Sequence, residues 1–276
     1  MRVTAIGAFA LALSMGPAIV AAGPAPAPAS MVLLDQARAR PVPVALYFPA
    51  GAACTPARRC PVALLSPGLG IGHLEYGFLA GRLARQGYLV ASIGLDLAGD
   101  PTFDPDGDVV RQRAGLARTG AATIRFVHGV LAGTHPGYDW DKVVLVGHSR
   151  GGDSSALLAA TDPAGIAAVV TLDNRRAALP RSDRVRVLSL RASDTGAEPG
   201  VLPDEEERRR YRACIVDLKE ARHDDMFDGG PEELKERIGG IVEGFLRPGA
   251  KRQASFACRV TSANGGNDDS GAAGVQ

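Results

Sequence analysis

Apolar runs alternate along this chain with stretches whose apolar positions recur every three or four residues. A short apolar run bounded by Gly, Pro or Asp reads as a buried strand, and the three-to-four spacing reads as one face of a helix. "MVLLDQAR" and "PVPVALYFPA" predict an opening pair of strands, and "CPVALLSPG" a third that ends at Pro67-Gly68. "EYGFLAGRLARQG" predicts a helix, with Gly87 just past its end, where a left-handed residue commonly stops a helix. "YLVASIG" predicts a strand, the acidic stretch "DLAGDPTFDPDGD" a loop, and Val109 to about Leu131 a long helix. "KVVLVG" and "GGDSSALLAA" predict a strand and then a helix; "IAAVVTLD" and "RVRVLSLRASD" predict two strands with a short connection. "DEEERRRYR" predicts a charged surface helix, "CIVDLKEARH" the last strand, and "GPEELKERIGGIVEGFL" a closing amphipathic helix with Pro231 at its start. Strands alternating with helices predict an α/β fold with a mostly parallel sheet covered on both faces.

The first residues break this alternation. Arg2, the apolar run Ile6–Met15 and the small residues of "AIVAAGPAPAPAS" have the layout of an export signal, most simply cleaved after Ala22. The apolar run is shorter than the roughly 20 residues a bilayer span needs. The chain thus divides into a signal peptide over 1–22, a Pro-rich linker over 23–30, one α/β domain over 31–248 and a tail over 249–276 without fixed structure after Cys258. The expected location is secreted or periplasmic, without a stable membrane anchor. Net charge is +1 and 46% of residues are apolar, so neither a nucleic-acid partner nor binding to a charged membrane surface is expected. Export permits disulfides among the four cysteines. Cys54–Cys60 would close a small loop, and Cys214–Cys258 would tie the tail to the body. A zinc site is the rival reading, but no CxxC or nearby His spacing accompanies the cysteines.

The chemistry concentrates at Gly147-His148-Ser149-Arg150-Gly151, between a buried strand and a helix start. Gly-x-Ser-x-Gly is a weak pattern alone, and that context is what gives it meaning. The glycines allow a tight turn that lifts a strained serine above the sheet. Free N–H groups of the next helix lie behind it. A structural Gly-rich turn with a capping serine is the plainer alternative. A serine hydroxyl needs a base. His148 is inside the turn, His128 on the long helix, His135 in a loop before the strand, and His73 in the loop after Pro67-Gly68. His223 follows the last strand and comes after the candidate acids in chain order, which makes it the expected base. Two carboxylates end strands: Asp194, preferred for its place after the penultimate strand, and Asp173, the alternative. The N–H groups of Leu69 and Arg150 are the expected oxyanion donors, with Gly68 and Gly70 allowing close backbone approach.

These residues resemble the α/β-hydrolase superfamily from roughly Val32 to Leu246. "LLSPGLGIGHLEYGFLAGRLARQGYLVASI", "GHSRGG" and "RHDDMFD" are similar to the platelet-activating-factor acetylhydrolase and dienelactone-hydrolase-like group. The resemblance implies an α/β-hydrolase fold and ester hydrolysis by a serine with no cofactor and no metal. It also implies an acid after the earlier strand, which favours Asp173. Pro67-Gly68 stands where the group usually has His-Gly, as in cutinase-like and polyester-hydrolysing relatives.

Asp104–Asp108 spaces carboxylates like a calcium loop, but the twelfth position from Asp104 is Gly115, where such a loop needs Glu. An acidic turn that caps the next helix accounts for it. Trp140, the only tryptophan, is expected to pack. The stretch between Asp173 and Val185 is too short for a cap domain, so an open site edged by loops 96–107 and 195–204 is expected. The expected function is hydrolysis of short-acyl or otherwise accessible carboxylic esters, small or lipid-like, through Ser149, His223 and Asp194 or Asp173. A non-catalytic binding protein and a serine peptidase are the alternatives.

Overall fold

A computed structural model of the protein describes residues 27–51 and 53–247. The expected export signal, most of the expected linker and the tail lie outside the described residues, and so does Cys258 with its expected link to Cys214. Cys54 and Cys60 form a disulfide with Cα atoms 5.3 Å apart.

Among the described residues, eight strands form one sheet: β1 (Ala29–Asp35), β2 (Arg40–Tyr47), β3 (Val62–Ser66), β4 (Leu89–Ile93), β5 (Val143–His148), β6 (Ile166–Leu172), β7 (Arg186–Arg191) and β8 (Cys214–Asp217). Five α-helices among the described residues accompany them: α1 (Gly77–Arg85), α2 (Val109–Thr134), α3 (Arg150–Thr161), α4 (Glu205–Tyr211) and α5 (Glu232–Leu246). The order across the sheet is β1-β2-β4-β3-β5-β6-β7-β8. β2 pairs antiparallel with β1 and β4, and the other neighbours are parallel. The first strand begins at Ala29, so the last two residues assigned to the linker belong to the sheet.

The central strands read as apolar runs because both faces are covered. In β3, Ala63 and Leu65 enter the cluster under α1 and α5, while Val62 and Leu64 enter the one under α2 and α3. In β5, Val144 and Val146 take the first face, and Val143 and Leu145 the second. The antiparallel edge strand β1 leaves Val32 and Leu34 exposed instead. The α1 helix buries Leu79, Ala80, Leu83 and Ala84, and Gly87 beyond its end has φ +91°, which glycine adopts without strain. Asp108 accepts the N–H of Arg111 and so caps α2, a structural role for the acidic turn. Trp140 is buried at the other end of β5 from Ser149, with its indole N–H donated to the His135 carbonyl at 2.8 Å. The connection from β6 to β7 carries no helix. Among the described residues, no helix is long and apolar enough to cross a membrane.

Parallel strands put the carboxyl ends of β3, β5, β6, β7 and β8 on one edge of the sheet. Pro67-Gly68, Ser149, Asp173, Asp194 and His223 follow those ends, where open α/β sheets bind ligands.

Candidate active site

The turn between β5 and α3 is a single residue, Ser149, with φ +49° and ψ −115°. A non-glycine residue in such a conformation costs on the order of 1–3 kcal/mol and persists only where its surroundings over-determine it. They do so here. The Ser149 N–H donates to the Leu172 carbonyl of β6 at 2.9 Å, and the Ser149 carbonyl accepts the Asp153 N–H of α3 at 2.9 Å. A Cβ on Gly147 would overlap the Gly151 carbonyl, and one on Gly151 would overlap the Ser66 carbonyl at the end of β3. Both glycines of the motif are therefore demanded by backbone-to-backbone contact.

The Ser149 hydroxyl donates to His223 Nε2 at 2.8 Å. His223 Nδ1–H donates to Asp173 Oδ2 at 2.6 Å. Asp173 is fully buried and follows β6 with φ +51°. Its carboxylate also accepts the Thr195 hydroxyl and the Ala192 N–H, and pairs with the Arg191 guanidinium at 2.7 Å. Burial pushes the Asp173 carboxyl upward, but the bonds from His223 and Thr195 and the Arg191 charge outweigh it and hold the group below the ordinary carboxylate value. An ionised Asp173 can only accept, so the proton of the His223–Asp173 bond sits on Nδ1. Nε2 is left as the acceptor that the serine proton needs.

The carboxylate at the imidazole is thus Asp173, not the preferred Asp194. Asp194 accepts the backbone N–H of His223 at 2.8 Å and sits 3.9 Å from the Arg222 guanidinium. It holds the histidine loop rather than the ring. The two acids differ in reach: Asp173 leaves β6, next to the serine-bearing β5, while Asp194 lies beyond β7, one strand further out.

Leu69 and Arg150 line the same cavity as Ser149 and His223, a space of about 230 Å³. Among the described residues, neither backbone N–H has a hydrogen-bond partner. Asp96 joins the two segments: it accepts the Gly70 N–H at 2.8 Å and pairs with the Arg150 guanidinium. Burial, and then the Arg40 charge, lowers the Arg150 pKa to about 10, so the group stays cationic at neutral pH.

A second polar chain, with no sequence signal, passes behind the serine. His148 and Tyr76 are each 1% exposed. His148 Nε2 lies 3.0 Å from the His223 carbonyl, which can only accept, so Nε2 carries the proton. Nδ1 must then accept, and it takes the Tyr76 hydroxyl proton at 2.7 Å. The Tyr76 oxygen in turn accepts the Gly68 N–H at 3.0 Å. Every donor and direction in this chain is fixed by the carbonyl at its end. Burial, and then the neighbouring His223, depresses the His148 pKa to about 3, so the ring stays neutral. The chain ties the loop after β3 to the loop that carries His223. Tyr76→Phe orphans both His148 Nδ1 and the Gly68 N–H. We expect a loss of about 1–3 kcal/mol for each orphaned group in urea unfolding; an unchanged midpoint would show that the chain carries no stability.

No protein-family model matches the chain, and no curated protein matches it. Solved structures do. An α/β serine hydrolase without a lid from Xanthomonas campestris aligns over 82% of this chain and 95% of its own, with a TM-score of 0.51 and 15% identity. Thermogutta terrifontis esterase 2, phosphorylated by paraoxon, aligns over 80% and 94%, with a TM-score of 0.57 and 14% identity. A ferulic acid esterase from Streptomyces cinnamoneus aligns over 86% of each chain, with a TM-score of 0.50 and 22% identity.

Proposed function

Since the chain has the α/β-hydrolase fold, we propose that it is an exported serine hydrolase that cleaves carboxylic esters through an acyl-enzyme. One observation carries the reading: an unbroken hydrogen-bonded line from a strained serine through His223 to a buried, ionised carboxylate, with bonds of 2.8 Å and 2.6 Å. The Ser149 oxygen attacks the ester carbonyl while His223 Nε2 takes its proton. The tetrahedral oxyanion is held by the N–H groups of Leu69 and Arg150. Collapse of this intermediate breaks the bond to the alcohol oxygen, which leaves with the proton from His223. A water then gives its proton to the same nitrogen and attacks the acyl carbonyl. The acid departs and the serine hydroxyl is restored. Asp173 fixes the ring tautomer and stabilises the imidazolium at each step.

Two of the similar structures are named as esterases, which supports an ester as substrate. The helix-free β6–β7 connection supports an accessible site. The sequence's export signal and the Cys54–Cys60 disulfide together support a secreted or periplasmic location. A fluorophosphonate probe is expected to label Ser149, mapped by peptide mass spectrometry, and p-nitrophenyl acetate is expected to be turned over. Absence of labelling would favour a non-catalytic binding protein. Labelling with turnover of peptide amides but not esters would favour a peptidase.

A further inference from the structure

A second and larger cavity, of about 420 Å³, adjoins the one at Ser149. Val110, Ala114 and Ala117 form one wall, at the spacing of a single face of α2. Leu157 of α3 and Ala177 and Ala178 of the β6–β7 connection form the other. Ala117, Arg113 and Arg176 line both cavities. The trough therefore borders the cavity around the serine hydroxyl along these three residues. Its width comes from small residues: alanine stands at four of these six positions, and larger aliphatic side chains there would close it. Its charged neighbours are partly spoken for. Arg176 pairs with Glu198 at 3.2 Å, and the Arg113 guanidinium lies over the Phe103 ring at 5.2 Å. Val110, with 80% of its surface exposed, leaves an apolar lip on solvent that a bound chain would cover.

Building on the ester-hydrolase reading, we propose that this trough is a substrate subsite for an aliphatic arm of the ester, so that the enzyme selects esters with a medium-length hydrocarbon chain over those whose arms are both short. The arm passes Ala117 and lies between α2 and the Ala177-Ala178 segment while the carbonyl sits at Ser149. Apolar contacts remote from the reacting bond raise kcat/KM. Each methylene that leaves water for the trough is worth about fourfold.

The test uses the full chain and two ester series. One lengthens the acyl group, from p-nitrophenyl acetate through butyrate and hexanoate to octanoate. The other lengthens the alcohol of simple acetates. In one series kcat/KM should climb by about fourfold per methylene until the trough is full, and that series identifies the arm. Ala114→Trp and Ala178→Trp fill the trough at exposed positions outside the Ser149 cavity. Each should lower kcat/KM for the longest ester of that series by at least about tenfold while leaving the shortest ester of that series within about twofold. Two variants on opposite walls guard against one misfolding. A flat wild-type dependence on both arms, with acetate hydrolysed normally, overturns the subsite and leaves the ester reading intact. So does a loss equal for the shortest and the longest ester of the series in a variant that folds. No acetate turnover together with no phosphonate labelling overturns the reading beneath it.

Discussion

Ser149→Ala is expected to lower p-nitrophenyl acetate turnover by about four orders of magnitude or more and to abolish fluorophosphonate labelling. The alanine removes the oxygen proposed to bond to the acyl carbon, while the proposed oxyanion donors and the cavity remain. A residual rate above that of water is therefore expected from transition-state binding alone. The same substitution keeps the strained backbone of the turn, because the conformation is held by the bonds to Leu172 and Asp153 and by the glycines around it. Thermal unfolding should confirm that the variant folds. Retained turnover would exclude this hydroxyl as the nucleophile, whatever the geometry around it.

The second large effect separates the two acids. Asp173→Asn replaces an acceptor with a group that can donate toward His223 Nδ1. The ring then flips its tautomer, and Nε2 presents a proton to Ser149 instead of a lone pair. Such a change costs about four orders of magnitude in kcat where it has been isolated. The variant also leaves the Arg191 guanidinium, 4% exposed, without its counter-charge. A drop in stability should therefore accompany the drop in rate, and the rate has to be measured well below the unfolding midpoint. Asp194→Asn retains an oxygen that can accept the His223 N–H. It should cost less than about tenfold, by loosening the loop. Equal, mild losses in the two variants would undo the assignment of Asp173 to the ring.

Much of this site was legible because the relevant residues are constrained locally. The elbow announces itself in five residues, since no side chain fits at Gly147 or Gly151 and a buried apolar strand leads straight into them. His223 follows from chain order once the serine is placed. The choice between Asp173 and Asp194 was not legible from the residues, because both follow strands of the same edge and differ only in how their loops turn. What decides it is the left-handed backbone at Asp173 together with the donors Thr195, Ala192 and Arg191, all brought in by the β6–β7 pairing. The likeness to the acetylhydrolase group pointed to Asp173 where spacing could not. Tyr76 carried no signal: it lies eight positions beyond Gly68, and only the sheet register and the packing of α1 bring it to His148. The alternation of strands and helices was legible throughout, because a sheet buried on both faces needs long apolar runs and leaves little choice of class.

The contact between Gly151 and Ser66 has a consequence for how such an enzyme could be diversified. With the first turn of α3 resting main chain against main chain on the end of β3, the scaffold restrains how far the Arg150 amide, a proposed oxyanion donor, can shift from the end of β3. A library randomised at 147 or 151 should return glycine and little else. On the subsite proposal, divergence toward new substrates then falls to the side of α2 that lines the trough, at Ala114 and Ala117. On that proposal the serine turn is inherited as a rigid unit, and the trough is free to drift.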